Sequence, residues 1–180
     1  MHVDASLSDE LLAVIPSLRA FAVSFINNRD RADDLVQETI LRALANIDKF
    51  ECGTSLNAWL FTILRYLFHS EYRKRRYETE DADGASAARL KTHPEQQSHL
   101  DFEDFRAALA TIPADQREAL LLVVAQGLSY EEAAAVCSVA VGTVKSRVNR
   151  ARSRLASLLD LTGEAALGLD DLTKAALSTR

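Results

Sequence analysis

Lys145, Ser146, Asn149 and Arg150 fall on one face of a helical segment whose opposite face is a stripe of Val141, Val144, Val148, Ala151 and Leu155. Five basic residues and no acid stand between Thr143 and Leu155. Arginine, lysine and asparagine are the side chains that read base edges in a major groove. Arg147, Arg152 and Arg154 lie towards the flanks, where phosphate is the nearer partner. This stretch therefore has the make-up of a DNA-reading helix with an apolar back. Ser129-Tyr130-Glu131-Glu132 precedes it and has the S-x-x-E form of a capping box. Ala133, Ala134 and Val136 give a short first helix, and Cys137-Ser138-Val139 a tight turn. Together they predict a helix-turn-helix with the second helix in the groove.

Two other clusters could do chemistry. Asp33, Asp34, Gln37 and Glu38 gather on one helical face, but no histidine or cysteine joins them, and neighbouring exposed carboxylates are commonly just solvated. Arg65, Tyr66, His69, Tyr72, Arg73 and Arg76 interleave bases with aromatics, a mixture suited to phosphate attraction and base stacking. The four histidines and the cysteines Cys52 and Cys137 show no metal-ligand spacing. Neither a nucleophile–base pair nor a phosphate-binding glycine loop occurs, so no enzyme, metal or cofactor is expected.

The elements that must carry these residues are all helical. Strand-like alternation is absent, and six glycines and three prolines in 180 residues are too few for a turn-rich β protein. Helices are expected from Leu7 to Asn27, with a kink or restart at Pro16, from about Arg31 to Ile47, and from about Leu56 to Arg76. Leu11, Leu12, Ile15, Leu18, Phe21, Ala22 and Phe25 form the first helix's apolar face. Trp59 keeps core spacing with Leu60 and Ile63. Glu78–Asp104 holds eight acids and two bases, and its first part reads as a flexible acidic linker. A second domain starts near Leu100, and Ala119–Val124 should be buried nearly all round. The expected architecture is all-α. Residues 1–78 form one small domain, 79–99 a linker, 100–160 a second domain and 161–180 a tail.

The net charge of −5 does not by itself point to nucleic acid, but the charge is segregated, with Arg65–Tyr77 and Thr143–Leu155 basic. Two cysteines 85 positions apart suit a reducing compartment, and no apolar run approaches a membrane span. A cytoplasmic protein is expected.

Val141-Gly142-Thr143-Val144-Lys145-Ser146-Arg147 with Arg150-Ala151-Arg152, after Leu128-Ser129-Tyr130-Glu131-Glu132-Ala133-Ala134, resembles the promoter-reading element of bacterial extracytoplasmic-function (group 4) sigma factors. Asp33-Asp34-Leu35-Val36-Gln37-Glu38-Thr39 and Ala58-Trp59-Leu60-Phe61-Thr62-Ile63-Leu64-Arg65 resemble sigma region 2, in the family's order. Glu80-Asp81-Ala82-Asp83-Gly84 and Ala87-Ala88-Arg89-Leu90 are most similar to the general-stress-response, EcfG-like subgroup.

That resemblance implies roles. Asp33, Asp34, Gln37 and Glu38 would dock on the clamp helices of the largest subunit of core RNA polymerase, with the flap as a second contact. Asn57, Arg65, Tyr66, His69, Tyr72, Arg73 and Arg76 would capture the melted −10 element, although many family members carry Asn where Tyr66 stands. Thr143, Lys145, Ser146, Arg147, Asn149, Arg150 and Arg154 would bind the −35 element. An anti-sigma factor would hold the protein, in a one-to-one complex or free as a monomer. The competing reading is a sigma-like mimic that sequesters an anti-sigma factor without touching DNA; retention of both basic surfaces favours the true sigma factor. An ordinary helix-turn-helix regulator would leave residues 7–78 unexplained.

Overall fold

The computed structural model of the protein describes residues 5–26, 28–51, 53–80, 97–159 and Thr173. Seven α-helices occur among them, and no strand. Three belong to the first domain: α1 (Ala5–Phe25), α2 (Arg29–Ala45) and α3 (Leu56–Glu80). Four belong to the second: α4 (Gln97–Thr111), α5 (Ala114–Leu120), α6 (Tyr130–Cys137) and α7 (Val141–Leu158).

The helices of the first domain pack against one another in a mutual triangle. Leu18, Leu35, Leu60, Phe61 and Leu64 are almost fully buried between them, each worth about 1.5–3 kcal/mol of transfer free energy. Phe21 meets Phe61 edge to face at 5.1 Å between centroids, a geometry that aromatic quadrupoles favour. Asn28 caps α2 by accepting a bond from the Arg31 amide at 3.1 Å. The helix therefore starts two residues earlier than the periodicity predicts. Thr39 is buried because its hydroxyl donates back to the Leu35 carbonyl at 2.7 Å.

Two expectations are corrected here. The first helix neither restarts nor breaks at Pro16, since α1 is continuous from Ala5 to Phe25. Pro16 is exposed, and the carbonyl it fails to bond belongs to Leu12, itself 63% exposed, so water can take the missing donor's place. Leu12 accordingly leaves the apolar face, and Ile26 joins it. Trp59 is half-buried and packs on Phe50 at 5.3 Å, in keeping with a core role.

The second domain is held by α7, which packs on α4, α5 and α6. Buried Phe105, Leu109 and Ile112 supply the α4 face. After α5 the chain widens into a π-helical turn over Leu121–Ala125, with the Gln126 amide donating to the Leu121 carbonyl at 3.0 Å. The wider turn keeps Leu120, Leu121, Leu122 and Val124 inside together. Gly127, at φ +68°, then reverses the chain.

The helices run further into the expected linker than predicted, to Glu80 on one side and from Gln97 on the other. The rest of the linker and the tail, Thr173 excepted, lie outside the described residues. The two domains share one continuous buried cluster, with α3 lying against α6.

Candidate nucleic-acid interface

The helix-turn-helix is built by its local sequence. Ser129 Oγ accepts from the Glu132 amide at 3.1 Å, and Glu132 Oε2 accepts from the Ser129 amide at 2.7 Å. The predicted capping box is thus complete. The bond from the Ser129 amide holds the Glu132 carboxyl below the usual carboxylate range. Ser138 ends α6 in the left-handed region, φ 55° and ψ 44°. The amide after it, of Val139, donates to the Ala134 carbonyl at 3.1 Å.

Val144, Val148, Ala151 and Leu155 of α7 are buried, and Val141 is half-buried against the same core. Their burial turns Lys145, Asn149, Arg150 and Arg154 outward, all four exposed. Lys145 Nζ stands 5.6 Å from the centre of the Tyr130 ring, which guides the ammonium without burying it. Thr143 and Ser146 are half-buried, with Ser146 Oγ donating to the Thr143 carbonyl at 2.9 Å. Arg147 stands apart from this group. Its Nε is 3.1 Å from Asp115 Oδ2 on α5, and its side chain is only 20% exposed.

The acidic face of α2 divides in two. Asp33 pairs with Arg19 of α1. Asp34, Glu38 and Arg42 line an open groove with Leu67, Ser70 and Glu71 of α3. Arg42 Nε donates to Glu38 Oε1 at 2.7 Å, while Asp34 and Gln37 are exposed. Leu41 is 55% exposed among them. Sequence reasoning missed it: its off-register position between inward Ile40 and Ala43 was the available signal.

The α3 set also splits. Tyr66 and Tyr72 are 60% and 63% exposed, and Arg73 is exposed beside them. Arg76 belongs to α3, but its side chain is outside the described residues. Asn57, Arg65 and His69 instead face the second domain. Asn57 Nδ2 donates to the Gln126 carbonyl at 3.3 Å. Arg65 Nε donates to Glu118 Oε1 at 2.9 Å. His69 is half-buried, and burial, with Arg65 second, lowers its pKa below the usual 6.5. Burial likewise pushes the Cys137 thiol up to about 12, with the Glu118 carboxylate adding to the shift.

No group of three or more His, Cys, Asp or Glu able to hold a metal occurs among the described residues. None of the described helices is long and apolar enough to cross a membrane.

An acid-faced three-helix domain followed by a helix-turn-helix with a basic outer face defines a promoter-recognition protein. The Sigma-70 region 2 family matches residues 12–77, and the Sigma-70, region 4 family matches residues 102–155. The chain belongs to the extracytoplasmic-function (ECF) RNA polymerase sigma factors, in their EcfG-like subgroup, and is a transcription regulator, not an enzyme. It is 63% identical to the ECF RNA polymerase sigma factor EcfG of Rhodopseudomonas palustris (strain TIE-1), over 98% of each chain. It is 39% identical to the ECF RNA polymerase sigma factor SigC of Mycobacterium tuberculosis (strain CDC 1551 / Oshkosh), over 78% of each. Among solved structures, the sigma factor RpoE in complex with the anti-sigma factor NepR from Bartonella quintana is similar, at 51% identity and a TM-score of 0.79. That match covers 89% of this chain and 100% of the other.

Proposed function

We propose that this sigma factor binds core RNA polymerase, directs it to stress-type promoters and is held in reserve by an anti-sigma factor. In this reading residues 1–78 act as region 2, 79–99 as the linker, 100–160 as region 4 and 161–180 as a tail. The α2 groove face, Asp34, Gln37 and Glu38 with exposed Leu41, docks on the clamp helices of the largest polymerase subunit, and region 4 meets the flap. Asp33 supports that face from the side through Arg19. Tyr66, Tyr72, Arg73 and Arg76, joined by Asn57, Arg65 and His69 when regions 2 and 4 part, capture unpaired −10 bases. Strand separation then needs no catalytic group, because flipped bases bind better than stacked ones.

One observation carries the reading: the buried stripe of α7 leaves Lys145, Asn149, Arg150 and Arg154 together on open surface. A mimic that never touches DNA has no use for that face. The anti-sigma partner is supported by the likeness to RpoE, whose structure was solved with NepR. A cytoplasmic location follows from the same role. The deciding experiment is transcription in vitro with core polymerase on a stress-type promoter, with and without the protein. Promoter-specific transcript supports the reading; NepR-type binding with no transcript would make the chain a mimic.

A further inference from the structure

Lys145 differs from the other bases of the recognition helix. It is the only lysine of α7, where Arg147, Arg150, Arg152 and Arg154 supply the rest of the charge. A lysine ammonium is a compact point charge on a flexible stem, without the planar fork that lets arginine select a base edge. Left to itself such a charge settles on phosphate, which carries no sequence information. Among the described residues no ion pair or hydrogen bond engages the Lys145 ammonium. Its partner is the ring of Tyr130, with 5.6 Å between Nζ and the ring centre.

The ring is itself held in place. Tyr130 is the first residue of α6, directly after the Ser129 cap, and the bonds between Ser129 and Glu132 fix the helix start around it. Its side chain is half-buried and packs against the core of the domain. A tyrosine has only two side-chain torsions, so a ring anchored on one side is a rigid platform on the other. In a helix-turn-helix the first helix crosses the DNA backbone and the second reads the groove. The contact between Tyr130 and Lys145 therefore spans the backbone-crossing helix and the reading helix.

We propose that Tyr130 is a positioning residue for −35 recognition, its ring holding the Lys145 ammonium towards base edges and away from phosphate. The proposal rests on the −35 role given above to α7. The aromatic face attracts the cation without neutralising it, so the charge stays available to a base acceptor. Ordering the long lysine stem before DNA arrives also removes part of the rotamer cost of binding. Without the ring Lys145 still binds DNA, but as one more sequence-blind charge.

The test is a double-mutant cycle at positions 130 and 145, read as holoenzyme affinity for matched and −35-substituted promoters. Tyr130→Leu should lower the ratio of the two affinities by about two- to fivefold, while affinity for the substituted promoter holds or rises. Tyr130→Phe keeps the ring and should keep the ratio. In a Lys145→Ala background, Tyr130→Leu should lower the ratio no further. Equal weakening of both promoters by Tyr130→Leu overturns the proposal, since a merely structural residue or a phosphate contact would act that way. A ratio lost as much in Tyr130→Phe overturns it too, as does a loss that persists in Lys145→Ala. Circular dichroism checks folding, and a proton spectrum of the free wild-type chain decides if Tyr130→Leu does not fold. The Lys145 ε-methylene protons, identified by their loss in Lys145→Ala, should lie upfield of those of the other lysines because they stand over a ring. An unshifted signal overturns the proposal. Wild-type holoenzyme that does not tell the two promoters apart would instead refute the −35 reading, and the proton shift would still report on the ring contact.

Discussion

Arg147 Nε lies 3.1 Å from Asp115 Oδ2, tying the recognition helix to the helix behind it. The guanidinium that sequence spacing assigns to promoter phosphate is thus held by the protein's own scaffold. Asp115 is half-exposed, so the pair contributes about 0–1 kcal/mol to stability. Asp115→Asn should lower the melting temperature little but free Arg147 for the backbone. Holoenzyme binding to promoter duplex should then tighten at low salt, with the salt slope steeper by about one unit. A slope equal to wild type would leave Arg147 as a structural residue only.

Ser138 occupies the left-handed region at φ 55°, which costs a residue with a Cβ about 1–2 kcal/mol relative to glycine. Ser138→Gly should raise the melting temperature of the protein by about 4 °C or more, at about 4–8 °C per kcal/mol in a domain of this size, less what the freer unfolded chain of glycine offsets. Promoter choice should not change, since Ser138 lies in the turn and not on the outer face of α7. A lower melting temperature in thermal denaturation would mean that the hydroxyl makes a compensating bond.

The left-handed turn and the α7 stripe were legible because both are local: a 3.6-residue period and a turn residue are written in consecutive positions. Leu12 shows where that logic fails. Seven apolar residues fitted one broad stripe of α1, but the packing against α2 and α3 takes a narrower one and leaves Leu12 in water. Leu41 was missed for the opposite reason, as an apolar residue on a face read as polar. The split of the α3 set was beyond reach of periodicity. Spacing groups Arg65 with Tyr66 and Tyr72, but the partner of Arg65 is 53 positions away, and no local pattern announces Glu118.

The groove between α2 and α3 makes a sharper claim about core binding than the acidic cluster did. Asp34 and Glu38 line it and Asp33 does not. Asp34→Arg with Glu38→Arg should weaken association with core polymerase by at least tenfold, a loss of about 1.4 kcal/mol or more, with helicity intact. Leu41→Ala should give a smaller loss. Titration of labelled core polymerase measures both, and undiminished affinity in the double variant would remove the docking assignment.

His69 makes stability depend on pH. Burial first, then Arg65, lowers its pKa below 6.5, with Arg73 acting in the same direction and Glu118 against them. The folded state therefore binds the proton later than the unfolded chain does. Stability from this group is fully present above about pH 6.5 and is lost as pH falls through the lower folded value. His69→Asn should flatten that part of the stability–pH profile in urea denaturation between about pH 7 and 5.5. An unchanged profile would assign the acid sensitivity to other groups.

The finest division concerns Arg150 and Arg154, both exposed on α7. Arg150 shares the face of Lys145 and Asn149, directly opposite the buried Val148 and Ala151 side of the helix, so it points into the groove when the stripe packs inward. Arg154 is one turn further from the helix start, and recognition helices read bases with their N-terminal residues while later ones meet backbone. A base-edge arginine carries sequence information; a phosphate arginine carries charge alone. Arg150→Ala should cost about 1–3 kcal/mol on the preferred −35 element and flatten discrimination against substituted ones. Arg154→Ala should weaken all promoters alike and reduce the salt slope by about one unit. Holoenzyme titrations on matched and −35-substituted promoters at several salt concentrations separate the two effects. Equal weakening of every promoter by Arg150→Ala would place that side chain on the backbone and leave base reading to Lys145, Ser146 and Asn149.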